Sequence, residues 1–264
     1  MQPKPICQDH LPHLPWMDPR TRRLPGIQPV IGSDWLRLDE AYAAQMALRD
    51  RLIADRPGLV HALLPEGRAA AAELYATVLD RLHHLAGFGI DKTVINRPDG
   101  VSVPLDPDQP LLTLGRLVQE DLCLLQDTGD EYQLTGAILC FPASWTLAQK
   151  IGRPLTAIHD PVPAYDADLA RRVNRMFAGI RPEQPLWRMN FLTYDDFTLH
   201  QPRREGEARP RPADHGYIRS ERQCLLRLPV SGAVVFSIHT YVVTAAAVPV
   251  DALASLRAAV QPEV

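Results

Sequence analysis

Two groups of residues in this chain could do chemistry. The first is His159, in the stretch GRPLTAIHDPVPAY (152–165), where a short apolar run ends on the imidazole and Asp160-Pro161-Val162-Pro163 follow. Proline fixes its own φ and pushes the residue before it out of the helical region, so the ring stands at the edge of a stiff corner. A haem iron needs one neutral imidazole held in orientation, an apolar slot for the macrocycle, and cationic or polar groups for the propionates. A histidine before a turn is also an ordinary structural residue. The slot residues are generic and no C-x-x-C-H motif exists, so residue types alone favour the structural role. The second group lies on strand-like segments: Arg188 and Asn190 in LWRMNF, and Glu221, Arg222 and Gln223 in YIRSERQCLLRL. Such a set is either the solvated face of a sheet or, turned inward, a site that polarises a small molecule, because buried ionic groups are costly unless paired. Glu221 and Arg222 are sequence neighbours and point to opposite faces of a strand, so at most one of them looks into such a site.

Other motifs carry little. GFGI (87–90) lacks the third glycine and the preceding strand of a dinucleotide fingerprint, and neither G-x-S-x-G nor H-E-x-x-H occurs. Cys7, Cys123, Cys140 and Cys224 have no C-x-x-C spacing, which fits neither a zinc nor an iron–sulfur site. Cys123 and Cys140 sit in apolar runs as small hydrophobes. His10 and His13 read as loop residues, and His83 and His84, being consecutive, cannot hold one metal together from a helix.

The elements that would position the two groups follow from periodicity. Residues 1–32 are a proline-rich arm. Ser33 or Asp34 caps a helix to about Asp55 with Leu38, Tyr42, Met46, Arg49 and Ile53 on its inward stripe. A second helix covers about Glu66 to Ala86 and stops at Gly87. After the turn NRPDG come two strands, LGRLVQEDLCLLQ and YQLTGAILCF, joined by DTGDE. Helical WTLAQKIG, the corner at His159 and the helix ADLARRVNRMFAGI follow. Three strands then close the domain, with Trp187, Met189 and Phe191 facing one way and Arg188 and Asn190 the other. A helix from about Val250 ends the chain. The expected class is α+β: a five-stranded antiparallel sheet with helices on one face, in the strand order of a PAS domain, plus an N-terminal helical extension. The divisions are 1–32 (arm), 33–90 (helical extension) and 91–264 (PAS-like domain), the last two forming one compact unit.

The bulk numbers set outer bounds. The 264 residues are 46% hydrophobic and 22% charged with a net charge of −3, an ordinary globular balance without the basic footprint of a nucleic-acid partner. The arginine-rich PRREGEARPRP (202–212) reads as a solvated loop. Neither a signal peptide nor a membrane-length apolar run is apparent, so a soluble, cytoplasmic, reduced protein is expected.

Longer stretches carry a resemblance. LPGIQPV, WLRLDEAYAAQMALRDRLI, NRPDG, LGRLVQEDLCLLQ, GAILCFPASWTLAQKIGRPLTAIHDPVP, ERQCLLRLP and GAVVFSIHTYV run in order from about residue 24 to 243. In them the chain resembles the haem-binding α subunit of the haem-dependent oxidative N-demethylases. The resemblance implies a PAS-like fold, haem b held by a histidine, here assigned to His159, and oxidation of a small secondary amine such as dimethylamine with dioxygen. It further implies electrons from NADPH through partner subunits carrying FMN and a 2Fe-2S cluster, with tetrahydrofolate taking up formaldehyde. Arg222 and Glu221, then Asn190 and Arg188, are the expected catalytic polar residues around dioxygen and amine. The chain departs from the family pattern at Met189 and Phe191, where WR-A-N-W is usual, and at His239, where arginine is usual. If those positions line the pocket, the amine differs. The alternative is a haem-binding PAS-type gas sensor without catalysis.

Overall fold

The computed structural model describes residues 4–22, 26–159, 167–208 and 212–260. In chain order its elements are β1 (Gln28–Pro29), α1 (Tyr42–Asp55), α2 (Pro57–Val60), β2 (His61–Leu63), α3 (Arg68–Leu82), β3 (Gly89–Ile90), β4 (Val94–Asn96), β5 (Ser102–Pro104), α4 (Pro110–Gly115), β6 (Asp121–Asp127), β7 (Tyr132–Ile138), α5 (Leu155–His159), α6 (Ala167–Gly179), β8 (Leu186–Tyr194), β9 (Tyr217–Arg227), β10 (Val234–Thr244) and α7 (Val250–Val260). Seven strands form one sheet in the order β1-β8-β9-β10-β6-β7-β2, and every neighbouring pair is antiparallel. β3, β4 and β5 form a small second sheet.

The α+β class is as expected, but the main sheet has seven strands rather than five. The additions are the edge strands β1 and β2, two and three residues long, too short to show any alternation. β2, from the segment expected to be only helical, pairs with β7. The expected hairpin is present: Thr128 donates its backbone N–H to the Glu131 carbonyl, and Gly129 takes a φ of +99° that suits glycine.

The helices begin later than their sequence signals suggest. Ser33 and Asp34 lie in a turn, where Asp34 pairs with Arg37 at 2.5 Å, and α1 starts only at Tyr42. Its buried stripe includes Arg49, whose guanidinium reaches the Gly115 and Gln119 carbonyls and the Asp121 carboxylate (2.7 Å). A 3-10 turn at Pro65–Gly67 precedes α3, and Gly87 follows it with a φ of +89°. WTLAQKIG forms only one 3-10 turn, Leu147–Gln149.

Helices cover both faces of the sheet, not one. Directly opposed residues share a face, so register sorts the side chains. Arg188 and Asn190 of β8 lie on the same face as Gln223 and Glu221 of β9, and that face continues through Phe236 and Ile238 of β10 to Cys123 of β6. Leu155 and Ile158 of α5 and Phe177 of α6 pack on this face against Leu125, Leu225, Val234 and Ile238. The opposite face packs Leu74 and Val78 of α3 and Leu111 and Leu114 of α4 against Leu122, Leu124 and Val235. At its end, Trp16 of the arm and Ala252 and Leu256 of α7 join Met189, Tyr241 and Val243. β10 shows why two layers are needed: Val234 and Val235 point to opposite faces and both are fully buried. Among the described residues no helix is long and apolar enough to cross a membrane.

Candidate functional site

His159 is the last residue of α5. Its Nδ1 lies 2.8 Å from the Leu155 carbonyl. A carbonyl only accepts, so Nδ1 carries the proton and the neutral ring has its lone pair on Nε2. Burial pushes the ring's pKa below its ordinary value; the Leu155 carbonyl opposes this, and the Lys150 and Arg188 cations add to it. The imidazole is therefore held neutral, which is the metal-ligating form. The helix that carries it is pinned at both ends. Thr156 donates its backbone N–H (3.0 Å) and hydroxyl (2.7 Å) to the Glu131 carboxylate in the β6–β7 turn. Lys150 Nζ donates to the Ile158 carbonyl at 2.6 Å. The corner expected at Asp160, Pro161 and Pro163 lies outside the described residues; among the described residues the Leu155 carbonyl, one turn back in the same helix, orients the ring.

Arg188, Asn190 and Glu221 share the sheet face that α5 covers. Glu221 is fully engaged: Oε1 accepts from Arg219 Nη2 (3.2 Å) and Nε (3.3 Å), and Oε2 accepts from Asn190 (3.0 Å) and Gln223 (3.1 Å). Those four bonds use the carboxylate's accepting capacity. Arg219 is itself buried, and its guanidinium also reaches the Leu199 and Phe141 carbonyls. Arg188 differs. Its Nε is buried without a hydrogen-bond partner, and it forms no ion pair among the described residues. Burial lowers its pKa, while the nearby Glu221 charge raises it. With Arg219 and Glu221 paired, Arg188 is a guanidinium that makes no ion pair among the described residues, beside a neutral imidazole.

Arg222 does not join the group. It faces the other side of β9, where its guanidinium reaches the Cys224 sulfur (2.9 Å) and the Asp34 carbonyl (2.6 Å) and lies over Trp187. The period-two alternation that separates it from Glu221 also places Met189, Phe191 and His239 on that opposite face. His239 is fully enclosed there between Glu120 (2.9 Å) and Asp39 (3.0 Å). Burial opposes its charge, but the two carboxylates hold its pKa up at about 9. It is an imidazolium and a poor metal ligand. Buried Cys123 and Cys140 have thiols pushed up by burial, so neither is a nucleophile.

Two important residues escaped the sequence analysis. Arg219 stands two positions before Glu221 on the same strand, and Lys150 lies in the WTLAQKIG stretch. Period-two spacing from Glu221 could have flagged Arg219, but no local pattern tells that Lys150 touches the Ile158 backbone.

These residues fit a haem. His159 offers one imidazole nitrogen with its tautomer set, Phe236, Ile238 and Cys123 form an apolar floor, and the orphaned Arg188 Nε suits an acidic edge group. Among the described residues no three His, Cys, Asp or Glu side chains gather as a metal cage. A family model described as haem-dependent oxidative N-demethylase, alpha subunit-like matches residues 26–261. Its description carries haem dependence, an oxidoreductase activity of the demethylase kind, and, in the word subunit, further chains. The match spans nearly all of the sequence, and the chain belongs to the family of haem-dependent oxidative N-demethylase alpha-subunit-like proteins.

Proposed function

We propose that this chain is the haem-b-holding subunit of a monooxygenase-type enzyme that demethylates a small secondary amine of the dimethylamine kind. The observation that carries this is the pairing of a tautomer-locked neutral His159 with an unpaired, half-buried Arg188 on one sheet face. His159 would hold the iron through Nε2. When bound, the haem supplies redox chemistry with dioxygen that no side chain carries. Arg188 offers a charge-assisted donor to negative charge in the site, and Asn190 a polar contact nearby. Glu221, with its lone pairs taken, orients Asn190 and Gln223 and neutralises Arg219. Arg222, on the other face, acts in this proposal only as a brace for the segment around Asp34.

The order of the five central strands, β8-β9-β10-β6-β7, supports a PAS-like core with the ligand between sheet and helices. The β2–β7 pairing supports treating residues 33–90 and 91–264 as one compact unit. In the overall reaction one oxygen atom leaves in formaldehyde and the other in water, so two electrons and two protons are needed: NADPH would supply a hydride and the solvent the second proton. The resemblance implies partner subunits with FMN and a 2Fe-2S cluster as the route, with tetrahydrofolate receiving formaldehyde; the scattered cysteines and the lack of a glycine-rich phosphate loop in the sequence favour an electron source outside this chain. The composition favours a soluble, cytoplasmic protein.

The test is formaldehyde released per NADPH consumed over a panel of small methylated amines, with and without a flavin/iron–sulfur reductase. Release only with the reductase is expected. The same strand order fits a haem gas sensor. Reversible oxygen binding without formaldehyde from any amine would establish that second function instead.

A further inference from the structure

Lys150 is a buried cation that the proposed function does not yet use. Its side chain is 4% exposed, yet Nζ makes two specific contacts: the Ile158 carbonyl at 2.6 Å and the Glu205 carboxylate at 2.5 Å. Removing an ammonium from water costs several kcal/mol, so a lysine so placed reflects a demand for its charge or its donors. The demand is visible in α5. A helix of five residues cannot satisfy its own last carbonyls, and among the described residues it is Lys150 that donates to the Ile158 carbonyl next to His159. Lys150 supplies that donor from the turn after Leu147–Gln149, while the imidazole itself takes the Leu155 carbonyl. Backbone and ring of the last turn are thus held by separate bonds.

Glu205 extends the support outward. Its carboxylate also accepts from Arg153 (2.9 Å), and its backbone N–H donates to Gln149 Oε1 (3.1 Å). The segment around residue 205, which the sequence presents as a solvated arginine-rich loop, is laced to the turn that aims the histidine. Nζ sits at the carbonyl of Ile158, the residue next to His159.

We propose that Lys150, backed by Glu205, is the positioning residue of His159: its donor fixes the helix end that presents Nε2, and its charge acts on whatever the ring ligates. The proposal rests on His159 as the haem ligand. Outer-shell partners of metal-binding histidines typically contribute about 10–100-fold in affinity. Lys150→Met should therefore lose haem about 10–100-fold faster than the wild type. It should also show a more negative ferric/ferrous reduction potential, because a nearby cation that favours the reduced state has gone. Lys150→Arg, which keeps charge and donors, should restore most of the potential. Glu205→Gln removes a negative charge instead, so its potential should move the opposite way, with a smaller increase in haem loss. A merely structural lysine would not produce opposite signs.

The measurement is haem transfer to an acceptor globin together with spectroelectrochemical titration of the haemin-loaded full chain, alongside His159→Ala. Wild-type chain that takes up no haem, or His159→Ala that retains it unchanged, overturns the ligand assignment itself. Wild-type chain that loads through His159 while Lys150→Met keeps the wild-type loss rate and potential overturns the positioning proposal alone. If Lys150→Met does not fold, Glu205→Gln carries the test: a shift to more positive potential supports the tie, and an unchanged potential overturns it.

Discussion

Arg188 and Glu221 sit diagonally on neighbouring strands of one sheet face, opposite in charge, and do not form an ion pair. Glu221 spends its lone pairs on Arg219, Asn190 and Gln223, and leaves Arg188 Nε without an acceptor close to His159. A half-buried cation whose buried Nε lacks an acceptor costs stability, and the cost is recovered when an anionic group docks.

Replacing Arg188 should therefore separate stability from binding. Arg188→Gln is expected to unfold about 1–3 kcal/mol later in urea without haem, since an unsatisfied buried donor is removed. The same variant should bind haemin at least about tenfold more weakly. Reduced stability with unchanged haem affinity would show that Arg188 is a structural residue.

Glu221→Gln reverses the pattern. It strands Arg219, whose side chain is 3% exposed, and breaking a buried pair by removing one partner costs about 3–5 kcal/mol. Global destabilisation by urea unfolding is expected, with part of the activity loss recovered in Arg219→Met/Glu221→Gln, which removes both charges. A fully stable Glu221→Gln chain with abolished demethylation would instead make Glu221 a direct participant.

Arg222→Met should leave the visible spectrum of the loaded protein as in the wild type. Its guanidinium braces the Asp34 segment on the other face, so a loss of about 1–3 kcal/mol in stability is expected from the freed carbonyl. A shifted Soret band in this variant would bring Arg222 into the site.

His239 gives a pH signature on the sheet face opposite Arg188 and Glu221. Its folded pKa, about 9, lies above the ordinary 6.5, so its contribution is complete below pH 6.5 and is lost as pH rises through about 9. The loss is on the order of 3 kcal/mol. Urea unfolding from pH 6 to 10 should show the wild type falling relative to His239→Gln over that window. Parallel profiles would mean that His239 is not charged between Glu120 and Asp39.

Much of this was legible from period two. Alternation in LWRMNF and in residues 234–241 separated the two faces, and the adjacency of Glu221 and Arg222 required them to part. Alternation does not tell which face holds a site, because both faces of this sheet are buried; that depends on α5 and α6 packing on one of them. The edge strands were too short to carry a pattern. LTAIH gave no helix signal because five residues hold barely one turn, and it is held by side chains of Glu131 and Lys150 that lie outside the helix.

The central claim is that His159 Nε2 binds haem iron on the Arg188 face, and the visible absorption spectrum of the haemin-reconstituted chain beside His159→Ala tests it most directly. The account predicts an intense Soret band in the wild type that is lost or strongly shifted in His159→Ala, with His239→Gln unchanged. A His159→Ala spectrum identical to the wild type, or a band that disappears with His239→Gln instead, would contradict it.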